Sequence, residues 1–241
     1  MTERDTRSAA EIAERIVGLT ALLVRLNIEL ANRRDPAAGQ AHLENFHAWL
    51  EDLRIHRLLS PDEQTVIGIR LGELTDDLLF SLNWRLQAVA ALLWSVGRLD
   101  TMPPYDRSIP AAVVQAELPI FKPIEPLVRA AQRRAPSTLR EEQARAELWH
   151  WRARMHLLEL QGMSPPAGDT FQAAVARGVA GAASRGIIAA VRDGDIDCDG
   201  TAFGKLPDAV WRDATSSIME RHYALNWVCG TEDWDEVSTH T

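Results

Sequence analysis

Two Glu-x-x-His units, Glu44/His47 and Glu147/His150, have the residue types and spacing of a metal-binding helix face. A spacing of three places both side chains on one face of a helix. A di-metal carboxylate bundle uses that arrangement, completed by a Glu from each of two further helices. Glu29 could supply one of these, but the segment 75–97 offers only Gln87 and no Glu. A di-metal centre on Glu44, His47, Glu147 and His150 is thus an expectation with an incomplete ligand set. A second pattern is Asp195-Ile196-Asp197-Cys198-Asp199-Gly200. It resembles the first half of a calcium loop, where oxygen donors at alternate positions precede a turn glycine. The twelfth position counted from Asp195 is Leu206, where a bidentate Glu is required. A solvated turn is therefore favoured over a calcium site on Asp195, Asp197 and Asp199.

A third group is polar and aromatic. His150-Trp151 stands one turn from Arg154, Arg221-His222 precedes Asn226 and Trp227, and Asp233-Trp234-Asp235 follows directly. Two readings stay open. In one, the junction of the 137–161 helix with the C-terminal helix is a pocket with His150 and His222 as acid–base groups. In the other, which is preferred, Arg85, Arg154 or Arg221 pair with Asp233 or Asp235 and fasten the C-terminal segment to the core. No H-E-x-x-H or G-x-S-x-G signature exists, and Gly200 to Lys205 is one residue short of a phosphate loop. No motif calls for a cofactor.

The elements that must position these groups are helical. Ile12, Ile16, Leu19, Leu23, Leu26 and Leu30 form one apolar stripe, ended by Arg34-Asp35-Pro36. Leu43, Phe46, Leu50 and Leu53 mark a second helix, and Ser60-Pro61-Asp62-Glu63 is a capping box opening a third. From Thr75 to Gly97 apolar residues occupy most faces, which predicts a central, buried helix on which Arg85 needs a carboxylate partner. Seven of the twelve prolines fall within 98–136, so that stretch reads as a long surface connection with short helical turns. Thr138 with Glu141 predicts another capping box, for a helix ending at Gly162. Asp169 begins a helix rich in small residues, and Ile187–Gly204 is the one stretch suited to a small hairpin. The last helix should run from about Asp208 to Cys229 with Gly230 as its cap.

Composition narrows the function classes. At 241 residues and 46% apolar content the chain can bury a real core. A net charge of −8 supplies no basic field for a nucleic acid backbone. Cys198 and Cys229 form no C-x-x-C pair, and the apolar run Ile16–Val24 is short and flanked by Arg15 and Arg25, so it reads as neither a membrane span nor a secretory leader. The eight tryptophans suit core packing first and binding surfaces second.

Three segments resemble one family. Asn83-Trp84-Arg85 with Val89 to Gly97, then His150-Trp151-x-x-Arg154, then Glu220 to Gly230 with Asp233 to Val237, are similar to signatures of a bacterial family known only as domain of unknown function 4272. Gln87 stands where that family is expected to carry a Glu, and Thr239-His240-Thr241 replaces Thr-Asp-Thr. The resemblance implies no activity. It implies that the three polar–aromatic clusters belong together in one domain spanning 1–241.

The expected fold is mainly α, a single helical domain of seven to eight helices with at most one small hairpin near 187–204. The expected function is a non-enzymatic protein-binding module of immunity or adaptor type, cytoplasmic, acting on another protein and not on nucleic acid or membrane. An enzyme using the His150/His222 junction and a helical di-metal protein are the alternatives.

Overall fold

The computed structural model describes residues 6–165 and 169–240. Helix α1 (Ala9–Arg34) starts on a capping box, in which Ser8 Oγ accepts from Glu11 N while the Glu11 carboxylate accepts from Ser8 N. It ends where Asp35 turns extended to cap α2 (Pro36–Asp52). The Ser60 box forms as its spacing predicts, opening α3 (Pro61–Gly68). Thr75 caps α4 (Asp76–Ser95).

The proline-rich connection carries two short helices, α5 (Ala111–Gln115) and α6 (Glu125–Ala130). Helix α7 (Pro136–Leu160) begins earlier than the Thr138 box predicts, with Ala135 as its N-cap and no side-chain cap. Pro136 takes the first helical position, where its fixed φ and missing N–H cost nothing. Thr138 therefore falls inside the first turn. Helices α8 (Phe171–Ser184) and α9 (Asp208–Cys229) follow, the first capped by Thr170. Gly230 does cap α9, but in extended backbone at φ −114°. Its need for glycine is steric, since a Cβ would lie 2.8 Å from Asn226 O.

Between α8 and α9 lies a small antiparallel sheet in the order β1 (Val191–Arg192), β2 (Asp195–Cys198), β3 (Thr201–Ala202). Val191 pairs with Ile196 and Asp197 with Ala202. The expected hairpin is thus one strand larger, and the mainly α class holds, with nine helices among the described residues.

Helix α1 packs on α2 and α4, and α9 packs on both α4 and α7. The buried apolar side chains run continuously from Ile12 to Val237, and each large aliphatic or phenylalanine among them contributes about 1.5–3 kcal/mol by leaving water. Helix α4 is buried all round only from Gln87 to Val96. Its N-terminal half keeps an open face, where Phe80 is 63% exposed. The expectation of an enclosed helix fails there because no element among the described residues covers that face, although Leu79 and Leu82 on the other side are buried. No helix of the described residues is long and apolar enough to cross a membrane.

Candidate functional site

Helix α9 sets the polar junction, because it carries Glu220, Arg221, His222, Tyr223 and Asn226 between α4 and α7. Arg221 is fully buried. Its guanidinium donates to the carbonyls of Pro103, Pro104 and Arg107, the last at 3.1 Å, and to Gln87 Oε1 at 2.6 Å. These acceptors are neutral, and burial pushes the Arg221 pKa down to about 10. Gln87 Oε1 also accepts from Ile109 N at 3.2 Å. Position 87 is therefore the acceptor that joins α4, α9 and the proline-rich connection. A buried cation here holds the segment Met102–Arg107 as a strap across the end of the bundle.

Arg85 finds the carboxylate it needs in Glu220, at 3.2 Å, and lies over the Tyr223 ring. Burial raises the Glu220 pKa, and the nearby Arg85 charge opposes that rise. None of Arg85, Arg221 and the exposed Arg154 pairs with Asp233 or Asp235, so the expected ion-pair fastening of the C-terminal segment by these residues does not form. Asp235 accepts from Asp62 N at 3.1 Å, inside the first turn of α3. The segment is held by aromatic and carbonyl contacts. Tyr223 OH donates to Trp234 O, and Asn226 Nδ2 donates to Ser238 O at 2.9 Å. Trp234 packs edge-on against Trp227 and Tyr223, with Arg15 over its ring and Arg7 over Trp227. Asp233 is exposed. Thr241 lies outside the described residues.

His150 and His222 do meet, with Nδ1 to Nδ1 at 2.9 Å. They are 8% and 2% exposed. Such a contact requires one ring to donate and the other to accept, so at least the accepting ring is neutral. Burial lowers both pKa values, that of His222 to about 4, helped by His150, and that of His150 further by the Arg154 charge. A second proton would set two N–H groups face to face. The pair as built resists protonation and is spent on itself. Trp151 packs over Gly178 of α8, whose added Cβ would lie 2.4 Å from the indole.

The metal candidates scatter. Glu44, His47 and Glu147 are exposed whereas His150 is buried. Glu29 is taken by Arg25 at 2.9 Å and by Gly72 N at 3.1 Å. Among the described residues no three His, Cys, Asp or Glu side chains converge as a metal site. The acidic run is likewise divided among arginines. Asp195 forms a two-pronged pair with Arg152, both contacts 2.7 Å, Asp197 binds Arg192 at 2.8 Å, and Asp199 meets Arg107 at 2.5 Å. Burial raises the Asp195 pKa, but Arg152 and the amides of Gly204 and Ile196 bring it below the usual carboxylate value.

Sequence reasoning missed the strap. Tyr105 stacks on Trp149 with centroids 5.8 Å apart, and its hydroxyl donates to Glu142 at 2.9 Å. Arg145 of α7 binds the other Glu142 oxygen and donates to Ile187 O at 2.9 Å. Beside them opens a cleft of about 420 Å³ between strap, α7 and sheet, floored by Tyr105, Trp149, Ile188 and Ile196. The Glu142/Arg145 pair at i, i+3 was the available signal. Nothing local in the sequence pairs Tyr105 with it, because they lie 37 residues apart.

No curated protein and no solved structure matches the chain. The family model for domain of unknown function (DUF4272) matches residues 1–180, a stretch that contains the first two resembling segments but not the third. The chain belongs to the DUF4272 family.

Proposed function

We propose that this protein is a non-enzymatic binding module that recognises a basic protein partner through the open face of α4. The observation that carries the reading is Phe80, a large aromatic residue left 63% exposed. It meets Trp84 edge-on with centroids 6.0 Å apart. Glu73, Asp76 and Asp77 stand exposed around the same helix start. Aromatic anchors within a charged rim are the usual source of interface energy, each worth about 2 kcal/mol or more. The net charge of −8 favours a basic partner and speeds its encounter. The free thiols Cys198 and Cys229 fit a reducing, cytoplasmic setting.

The test is affinity capture of the tagged protein from its host at about 0.05 and 0.5 M salt, beside the Phe80→Ser variant. One basic protein, retained near stoichiometrically, weakened by salt and lost with the variant, is the expected result. Retention unaffected by Phe80→Ser, or a partner-free eluate, would overturn the reading.

An enzyme at the His150/His222 junction draws less support, since the rings bond each other inside the α7/α9 interface and Asp235 is engaged at α3. Joint substitution of both histidines by Ala would support it only by abolishing a measured activity while leaving the fold intact.

A further inference from the structure

The cleft under the strap is independent of the α4 face and has the size of a small-molecule site. Its volume of about 420 Å³ falls in the range that ligands of modest size occupy. Its floor is apolar, with the stacked Tyr105 and Trp149 joined by Ile188 and Ile196. These four floor residues are buried or nearly so, and Arg221 fixes the strap above them through three carbonyls. The floor is therefore pre-formed, and little ordering remains to be done on binding.

The rim is charged and adjustable. Asp106, Asp197 and Asp199 face the opening together with Arg107 and Arg145. Arg107 clasps the strap to the turn after β2 through Asp199, with side-chain exposures of 51% and 77%. Arg107 also grips Asp106 at 2.9 and 2.8 Å, so two carboxylates share one guanidinium, and a second cation can compete for the exposed Asp199. Acidic groups outnumber basic ones at the lining. The Cys198 thiol behind it feels the same field, its pKa pushed up to about 12 by burial and then by Asp106, Asp195 and Asp197.

We propose that this cleft binds a small organic ammonium, its apolar body on the Trp149, Ile188 and Ile196 floor and its charge at Asp199, in competition with the Arg107 clasp. An apolar body without charge would leave Asp106 and Asp199 sharing the single Arg107 guanidinium, and a carboxylate would add to the negative charge already in excess there.

The experiment is an amide NMR titration of the full chain with phenethylammonium, and in parallel with 2-phenylethanol, a neutral molecule of the same shape. Expected are shifts at Ala190, Ile196, Asp197, Asp199 and Gly200, with the ammonium bound at least ~10-fold more tightly than the alcohol. Two variants bracket the charge. Asp199 sits at φ 48°, a conformation asparagine accepts, so Asp199→Asn keeps the turn and should weaken binding several-fold. Arg107→Gln frees Asp199 and should strengthen it, while leaving the Arg107 carbonyl for Arg221. Equal binding of ammonium and alcohol, no cleft shifts up to about 10 mM, or an affinity unmoved by Asp199→Asn would each overturn the proposal. A lysine side chain presents the same chemistry. If Nα-acetyl-lysine methylamide shifts these amides and phenethylammonium does not, the small-molecule assignment falls. Failure here leaves the α4 reading untouched, because Phe80 lines no part of this cleft.

Discussion

The buried histidine pair makes stability depend on pH in a way that can be worked through. In the unfolded chain His222 takes up a proton near 6.5, whereas in the folded protein it resists until about 4, first because of burial and then because of His150. Between those values the unfolded state holds more protons, so folding stability falls as pH is lowered through 6.5 and the loss is complete near 4. At ~1.4 kcal/mol per pH unit, that window amounts to about 3 kcal/mol from one residue. Carboxylates titrate in the same range, so the assay must isolate the histidine. Urea unfolding of the wild type and of His222→Gln, measured at steps from pH 7 to 4, does so by difference. The wild type's margin over the variant should shrink by about 3 kcal/mol across the series. Ring-proton NMR gives the direct check, with His222 remaining neutral well below pH 6. A margin constant to within about 0.5 kcal/mol, or a ring titrating near its free value, would refute the reasoning about burial.

Other outcomes follow from the same contacts. Gly204→Ala would place a Cβ 2.4 Å from Arg152 Nη2 and 3.2 Å from Asp195 Oδ2. Separating this buried pair should cost about 3 kcal/mol in denaturant unfolding, and a loss near zero would show that the pair can move aside. Gln87→Glu would give Arg221 the carboxylate it lacks, and should raise stability by about 1–2 kcal/mol in thermal unfolding. A drop would mean that desolvating the new carboxylate outweighs the pairing. Tyr223→Phe removes the donor to Trp234 O, and should cost about 1 kcal/mol and speed amide exchange across Trp234–Val237. Unchanged exchange there would show that ring packing alone holds the segment. Phe80→Ser should leave stability within about 0.5 kcal/mol of wild type while abolishing partner capture.

Much of the helical framework is legible in the residue pattern because its causes are local. The stripe from Ile12 to Leu30, the Ser60/Glu63 box and the end of α9 at Gly230 each depend on neighbours a few positions away. Local rules fail where two of them compete, as at α7, where Pro136 overrides the Thr138 box. The buried pairs Arg15–Glu63 and Arg152–Asp195 were not read from the pattern, since 48 and 43 residues separate the partners. The i, i+4 pair Arg25–Glu29 was within reach of pattern reading, yet both residues look there like a flank and a stray ligand.

The candidate sites divide along the same line. Sequence alone determined that His150, Arg154, Arg221 and His222 lie on two helices, and that 98–136 is a connection with work to do. Only the tertiary structure decided that the histidines face each other across 2.9 Å, that Asp235 caps α3 instead of pairing with an arginine, and that Arg221 points at the strap carbonyls. The physical reason is that helix formation is settled by backbone contacts within a turn. Which charge meets which acceptor is settled by the packing of α9 between α4 and α7, where burial makes every unmet polar group costly.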